Sequence, residues 1–407
     1  MRDDWKEVTL GEIVQLGKGG SWGQDVQSDG LVQAVCLRGT DLAELIDRRI
    51  PDAPVRWIKE TELRKSKCSK DMVLIETSGS KCGRSIVLTD EILAKFDLPV
   101  IYSNFCRTLN IDTKTVTREF VEIWFSHNYA NGLIPSYRAT SAMPNLDVKA
   151  LLRVEKIKIP PLPEQKRIVD LISSVDSYIE TLQQQLESIQ SIRSSISESL
   201  WSSFSLRSKL SSFGETLTGS TPPTKKLQYW ESHEVDFFTP SDLGTSLKLN
   251  TASRGISSEG AAISRLLKGF SVLQVCIGAT IGKVGYLNHP AVMNQQINAL
   301  TNLTEHDAPI LAAILSSETF QSIIRNKAGG STLPIISKSS WGKIQIPHVP
   351  EGERARVSLA ILETDSFIEQ SRQLLFSAEK LRSSILHNLL TGTHEIPASY
   401  DKVMGAA

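Results

Sequence analysis

Two stretches of this chain place apolar residues at alternating steps of four and three positions, the period that lays a stripe along one side of a helix. In the first, the stripe runs through Ile168, Ile172, Val175, Ile179, Leu182, Leu186, Ile189, Ile196 and Leu200, and Arg193 takes a slot where an apolar residue is due. The second is less strict. Ile361, Ile368, Leu375, Ala378, Ile385 and Leu389 keep the pattern, Thr364 and Ser371 weaken it, and Arg382 occupies the slot of Arg193. Such heptad spacing is the seam of a coiled coil. Each helix opens on a proline (Pro163, Pro350) whose missing N–H does no harm at the first helical position, followed by Glu164 or Glu351 near the positive end of the helix dipole. Thr391-Gly392 is a glycine stop for the second helix.

A helix from Glu164 to Trp201 extends about 57 Å. Neither stripe can be buried by its own helix, so the two helices are expected to lie antiparallel with their seams facing. The seam is read as Ile172, Ile179, Leu186, Ile368 and Leu375, with Arg193 and Arg382 fixing register or orientation at some cost in stability. Contact with a partner subunit is the other use of two such arginines.

The helices belong to a repeat. KIKIPPLPEQKRIVDLI starts at Lys156, and KIQIPHVPEGERARVSLAI starts 187 residues later at Lys343. Asp176-Ser177-Tyr178-Ile179-Glu180 recurs as Asp365-Ser366-Phe367-Ile368-Glu369, and IRSSI at Ile192 recurs as LRSSI at Leu381, both at an offset of 189. A repeat of this length with one two-residue insertion is a duplication. The intervening segments also echo each other. Gly11-Glu12 matches Gly214-Glu215, Thr40-Asp41-Leu42 matches Ser241-Asp242-Leu243, VLIETSGSKCGR (Val73 to Arg84) matches VLQVCIGATIGK (Val272 to Lys283), and Ser141-Ala142-Met143-Pro144 matches Ser331-Thr332-Leu333-Pro334. The expected fold class is therefore α+β, with two similar strand-rich globular domains separated by a long antiparallel two-helix coiled coil in a pseudo-twofold plan. The expected boundaries are residues 1–155 and 204–342 for the domains, 156–203 and 343–392 for the spacer helices, and 393–407 for a tail.

A chain of 407 residues with 40% apolar content has enough material for two or three cores. Lys plus Arg and Asp plus Glu both number 45, so any basic face is local. The five cysteines, Cys36, Cys68, Cys82, Cys106 and Cys276, are odd in number and lack C-x-x-C spacing, which argues against a disulfide framework and a zinc ribbon and fits a reducing cytoplasm. The start MRDDWKEVTL is charged, and no apolar run reaches the about eighteen residues of a membrane span.

Gly278-Ala279-Thr280-Ile281-Gly282-Lys283 is one residue too short between its glycines for a phosphate loop, and Val284 stands where that loop needs Ser or Thr. Gly79-Ser80-Lys81-Cys82-Gly83-Arg84 has the same glycine spacing, so the shared element is a strand, a glycine turn and a basic residue; a plain hairpin turn accounts for it equally. The seven histidines form no metal-ligand spacing, and neither a G-x-S-x-G elbow nor a glycine-rich dinucleotide fingerprint occurs. No metal, cofactor or catalytic residue is therefore expected.

Basic, hydroxyl and amide side chains gather near the predicted turns. In the first domain they are Lys18, Ser21, Arg38, Thr40, Ser80, Lys81, Arg84, Asn104, Arg107, Arg138 and Asn145; in the second, Thr221, Lys225, Lys226, Tyr229, Ser241, Thr280, Lys283, Asn294, Gln295, Gln296, Lys327 and Thr332. Arg reads guanine and Asn or Gln reads adenine in a major groove, while Lys, Ser and Thr hold phosphates. Each residue alone reads more readily as a solvated surface group than as a base contact; only their recurrence at matched places favours a DNA contact. RWIKETELRKSKCSK, from Arg56 to Lys70, is the densest positive run and either follows a phosphate backbone or is an exposed helix face on which Glu60 and Glu62 pair with lysines.

The repeated I-P-x-x-P-E with its long helix, together with LTGSTPPTKKLQYW (Leu217 to Trp230), SVLQVCIGATIGKVG and MNQQINAL (Met293 to Leu300), resembles the DNA-specificity subunit of type I restriction-modification systems over nearly the whole chain. In the first domain Tyr102-Ser103-Asn104-Phe105 stands where the second has Met293-Asn294-Gln295-Gln296. The resemblance implies a non-catalytic subunit whose two target-recognition domains each read one half of a bipartite, asymmetric site in double-stranded DNA, with the helices as spacer and ruler. It further implies two methyltransferase subunits that dock on this chain and bind S-adenosylmethionine, and motor-nuclease subunits that join for restriction. A coiled-coil scaffold whose domains bind protein, and a stand-alone nuclease or methylase, are the competing readings.

Overall fold

The computed structural model describes residues 4–140, 142, 144–329 and 333–404. The chain divides into two compact units, Met1–Ile179 with Ala378–Ala407, and Glu180–Ser377. Both long helices form, Leu162–Ser203 and Glu351–Thr391, and each begins in one unit and ends in the other. Their starts differ slightly from the sequence expectation: Pro163 is the second helical residue rather than the first, and Pro350 immediately precedes its helix. The glycine stop is present. Gly392 adopts φ 73°, and the N–H groups of Gly392 and Thr393 return to the carbonyls of Leu389 and Asn388 at 3.3 and 3.0 Å.

The first unit closes on itself before its helix begins. Strand Lys6–Thr9 pairs antiparallel with Lys156–Ile159, in the register Val8 to Ile157. The alternation K-I-K-I turns Ile157 and Ile159 into the core and leaves Lys156 in solvent. A four-stranded antiparallel sheet follows in the spatial order Val14–Gly19, Cys106–Ile111, Val73–Glu76, Ser85–Val87. A three-stranded sheet has Leu31–Leu37 in the middle, antiparallel to Val55–Lys59 and parallel to Val100–Tyr102.

The second unit repeats this plan strand for strand. Arg207–Lys209 pairs with Gln345–Pro347; the four-stranded sheet runs Glu215–Thr218, Ile297–Thr301, Ser271–Val275, Val284–Leu287; and Val235–Phe238 lies between antiparallel Gly255–Ile256 and parallel Ala291–Met293. The recurring KIKIP and KIQIP segments are thus the closing strands of two equivalent domains, each leading straight into a long helix.

The helix ends are parts of the domain cores. In the first unit Ile168 and Ile172 from one helix and Leu386, Leu389 and Leu390 from the other share a cluster with Phe120, Trp124, Phe125 and Leu151. In the second, Leu200 and Ile361 share a cluster with Phe320, Trp341 and Val349. Of the predicted seam, Ile172, Ile179 and Ile368 are buried, and Leu186 and Leu375 are half-buried. Gln165, fully buried, explains the amide of the P-E-Q spelling. Its side chain donates to the carbonyls of Thr115 and Pro160 at 3.0 and 2.8 Å and accepts from the Thr117 N–H at 2.8 Å.

Within each unit the start of one long helix lies beside the end of the other, and each of the two seam arginines meets an aspartate across this contact. Arg382 donates from Nη2 to Asp176 Oδ2 at 2.9 Å in the first unit, and Arg193 Nη1 lies 3.3 Å from Asp365 Oδ1 in the second. These aspartates are the first residues of the repeated D-S-Y-I-E and D-S-F-I-E, so duplication carried both halves of the pair. Asp365 is 8% exposed, and burial pushes its carboxyl above the usual range although Arg193 draws it down. Removing one member of such a pair strands the other charge, whereas removing both leaves an apolar contact. Arg193→Leu is therefore expected to cost about 3 kcal/mol, and Arg193→Leu/Asp365→Leu to recover most of it, as read from urea unfolding midpoints followed by circular dichroism.

Candidate nucleic-acid interface

In both domains the loops at one end of the four-stranded sheet are tied to one another by backbone hydrogen bonds, and the ties match pair for pair. The loop after the first strand of the sheet is held to the turn before its central strand: Gly20 donates to Cys106 and Ser21 to Tyr102 in one domain, Gly219 to Ile297 and Ser220 to Met293 in the other. The glycine turn is held to the same turn by Thr77 to Phe105 and Cys276 to Gln296, both at 2.8 Å. A further strand-like segment reaches the glycine turn through Gly79 to Pro144 and Gly278 to Pro334, both 2.9 Å. The three-stranded sheet joins through Ser103 to Leu37 and Asn294 to Phe238.

Glycine is required at two places in this frame. Gly79, Gly83, Gly278 and Gly282 have φ of 119°, 110°, 100° and 98°, a region that residues with a Cβ rarely adopt. A Cβ on Gly20 would fall 1.9 Å from the Tyr102 carbonyl oxygen, and one on Gly219 would fall 2.0 Å from that of Asn294. The glycine motif is accordingly a hairpin turn, but one that other loops rest upon.

The paired S/T-D-L motifs supply a second support. Asp41 Oδ2 accepts from the Arg38 N–H at 2.6 Å, and Asp242 Oδ2 from the Thr239 N–H at 2.7 Å. Burial alone would raise the Asp242 carboxyl, but hydrogen bonds from Ser253 and Thr239 outweigh it and hold the group below its ordinary value.

The candidate side chains divide into those that point free and those already committed. In the first domain Ser80, Lys81, Asn104 and Asn145 are exposed on the tied loops, Thr40 is exposed in the first turn of the helix Gly39–Ile46, and Asn145 accepts from the Ser78 hydroxyl. Lys18 is exposed on its strand, while the Ser21 hydroxyl lies 3.4 Å from Glu62. The four arginines are engaged within the fold. Arg38 pairs with Asp41 at 2.8 Å, Arg107 donates to the Gly17 carbonyl at 2.7 and 3.1 Å, and Arg138 donates to Cys82 at 2.8 Å and Ser80 at 3.3 Å. Arg84 pairs with buried Glu76 at 2.7 Å, and burial pushes the Glu76 carboxyl up despite Arg84 and Arg138.

In the second domain Lys225, Ser241, Thr280, Gln295 and Lys327 are exposed. Thr221 donates its hydroxyl to Gln295, Asn294 donates to Gln296 Oε1 at 3.1 Å, and Ser241 and Thr239 share a hydroxyl contact at 2.7 Å. Lys226 lies 5.5 Å from the Tyr229 ring, which is buried, so Tyr229 supports its loop rather than presenting a surface. Lys283, the counterpart of Arg84, borders a cleft with Arg193, Ser246 and Gln321. Thr332 lies outside the described residues. In the Arg56 to Lys70 run, Arg56 is buried against Trp22 and paired with Asp25, and Arg64 pairs with Glu60 at 2.7 Å. Sequence reasoning passed over Arg254, whose guanidinium stacks 4.5 Å from the Trp230 ring, because no spacing links the two. All five cysteines are free and buried. Among the described residues no helix is long and apolar enough to cross a membrane, and no His, Cys, Asp and Glu cluster could hold a metal ion.

The doubled frame agrees with what known proteins show. A family model described as the type I restriction modification DNA specificity domain matches residues 2–191 and again 207–369. The chain belongs to this family. It is 25% identical over 187 residues to the type I restriction enzyme MjaIX specificity subunit of Methanocaldococcus jannaschii, covering 44% of this chain and 42% of that one. It is 23% identical over 310 residues to the MjaVIII specificity subunit of the same organism, covering 70% and 72%. The crystal structure of the type I restriction-modification S subunit from M. genitalium shares the fold, with a TM-score of 0.59 at 15% identity over 96% of this chain and 97% of that one. Specificity subunits are the non-catalytic members of these systems, whose activity lies in other subunits.

Arg84 and Lys283 occupy one position in the frame but do different things. Arg84→Ala leaves the Glu76 carboxyl buried without its partner and is expected to cost about 3 kcal/mol, while Lys283→Ala is expected to change stability by less than about 0.5 kcal/mol. Chemical denaturation of the two variants checks the difference.

Proposed function

We propose that this chain is the sequence-reading subunit of a type I restriction-modification complex, in which each domain contacts one half of a bipartite, asymmetric site in double-stranded DNA. The observation that carries this reading is one backbone frame built twice with unlike side chains at its tips. Ser80, Lys81, Asn104 and Asn145 crown the first copy; Thr280, Gln295 and the linked Asn294 and Gln296 crown the second. A rigid frame with interchangeable donors and acceptors suits direct readout, since base edges are told apart by where donors and acceptors stand. Unlike tips on like frames favour two different half-sites.

The two long helices set the gap between the half-sites in this reading, and the chain itself carries no catalysis. Two methyltransferase subunits bind S-adenosylmethionine, dock on the helices and domains, and modify adenine; motor-nuclease subunits join them for restriction. Docking is supported by Leu359, Leu362, Phe367 and Leu374, apolar residues of the second helix that are exposed in this chain. Both these partners and the free cysteines suit the cytoplasm.

Exchanging residues 1–155 for those of a relative is expected to change one half of the methylated site and leave the other as it was, when methylated adenines are mapped in DNA from cells with and without the chain. A change in both halves, or none, would refute the modular reading. Removing one heptad from each long helix is expected to shorten the gap while both halves persist, and an unaltered gap would remove the ruler. Binding that does not weaken with salt would point instead to a scaffold that contacts protein, because neutralising phosphates makes affinity fall steeply as salt rises.

A further inference from the structure

The two domains share a frame but not an electrostatic surface. On the first, a groove of about 720 Å³ runs beside the four-stranded sheet, bordered by Lys18, Lys65, Lys70, Arg107 and Arg118, with Asp71 the single carboxylate on its wall. Local geometry assembles these cations from four separate segments. The strand Val14–Gly19 carries a register shift between Leu16 and Gly19, a bulge that the second domain's matching strand lacks. Arg107 holds the bulge by donating twice to the Gly17 carbonyl, which occupies some of its five N–H donors and leaves others. Lys70 has only an exposed partner, Asp90 at 2.8 Å, and surface pairs of this kind exchange readily for another anion.

The hydrogen-bond register identifies what stands at the same places in the second domain. Gly20 to Cys106 corresponds to Gly219 to Ile297, which sets Lys18 against Leu217 and Arg107 against Asn298. Cys68 to Val100 corresponds to Leu267 to Ala291, which sets Lys65 against Ser264 and Lys70 against Gly269. Arg118 and Asp307 each open the helix that follows the sheet. Five cations are thus replaced by four neutral residues and an acid on a frame that differs by the one bulge, and the same register offers a single lysine in return, Lys268 at the place of Ser69.

We propose that this groove holds a stretch of the DNA sugar-phosphate backbone, a clamp that the first domain has and the second lacks. The proposal rests on the DNA-reading function above and adds to it an inequality between the halves. The first domain supplies salt-sensitive, sequence-independent affinity; the second contributes through its loop tips alone. An open row of flexible ammonium and guanidinium groups suits phosphates, which position a protein on the duplex and carry no sequence information.

The test compares the methyltransferase complex containing wild-type chain with one containing Lys18→Gln/Lys65→Gln/Lys70→Gln, all three exposed positions, on a duplex bearing the mapped target. The slope of log affinity against log salt is expected to become shallower by about 2 to 3, roughly 0.9 for each phosphate that is no longer neutralised, while the methylated sequence stays the same. As a control, Lys225→Gln/Lys226→Gln, two exposed lysines of the second domain that lie outside the positions corresponding to the groove, is expected to leave the slope within about 1 of the wild type. An unchanged slope in the triple variant overturns the clamp, and loss of the methyltransferase subunits from the triple variant at unchanged slope assigns the groove to protein docking instead. Should the wild-type complex itself methylate no defined sequence, the DNA-reading function fails as well, which separates the two failures.

Discussion

A helix with one apolar stripe must find something to cover it, and in this chain the cover is another helix of the same kind. Everything else depends on that requirement. In the first unit Ile168 and Ile172 meet the end of the second helix at Leu386 and Leu389, and the cluster extends into the domain through Phe120 and Trp124. In the second unit Leu200 and Ile361 extend into the domain through Phe320 and Trp341. Apolar packing alone tolerates sliding by whole heptads, because each heptad offers the same stripe. The pairs Arg193 with Asp365 and Arg382 with Asp176 do not tolerate it, since a slipped register would leave buried Asp365 without its partner and part the half-buried Arg382 from Asp176.

Duplication accounts for the order in which the pieces are joined. Each domain's first strand pairs with its last, so the chain returns to the point where it entered and delivers the next segment directly to a helix start. The recurring proline-glutamate spelling marks that junction. Glu164 accepts from the Trp5 indole at 3.2 Å and Gln165 satisfies three backbone groups, so the first junction is held from both sides of the entry point. In the second copy Arg354 takes over, donating to the Val349 carbonyl and pairing with Asp307 at 3.3 Å. The backbone solution persisted while its side-chain support changed.

The same division runs through the loops. Backbone ties such as Gly79 to Pro144 and Gly278 to Pro334 depend on conformation, which glycine and proline enforce at few positions, so they survive extensive change elsewhere. The tips are free to vary because little rests on them. Cationic character then becomes a property of each copy, and the bulge at Gly17 shows how one inserted residue re-aims a strand without disturbing the frame.

By itself, the sequence determined the two helices, their antiparallel partnership within each unit, the doubled domains and the glycine turns, because all of these follow from periodicity and from residues with singular backbone preferences. It also carried a sign that went unread: Asp176 and Asp365 recur as faithfully as the arginines they pair with. Tertiary structure alone decided which candidate side chains are available. Arg38, Arg84 and Arg138 look alike in sequence to any groove-reading arginine, yet each is spent on a carboxylate or carbonyl from a distant segment or a neighbouring turn, and Arg107 gives only part of its guanidinium to the Gly17 carbonyl. Tyr229 is buried while Lys81 and Asn104 stand clear. A side chain's partners come from segments that local pattern does not relate, and so its freedom to meet another molecule is settled only when those segments are brought together.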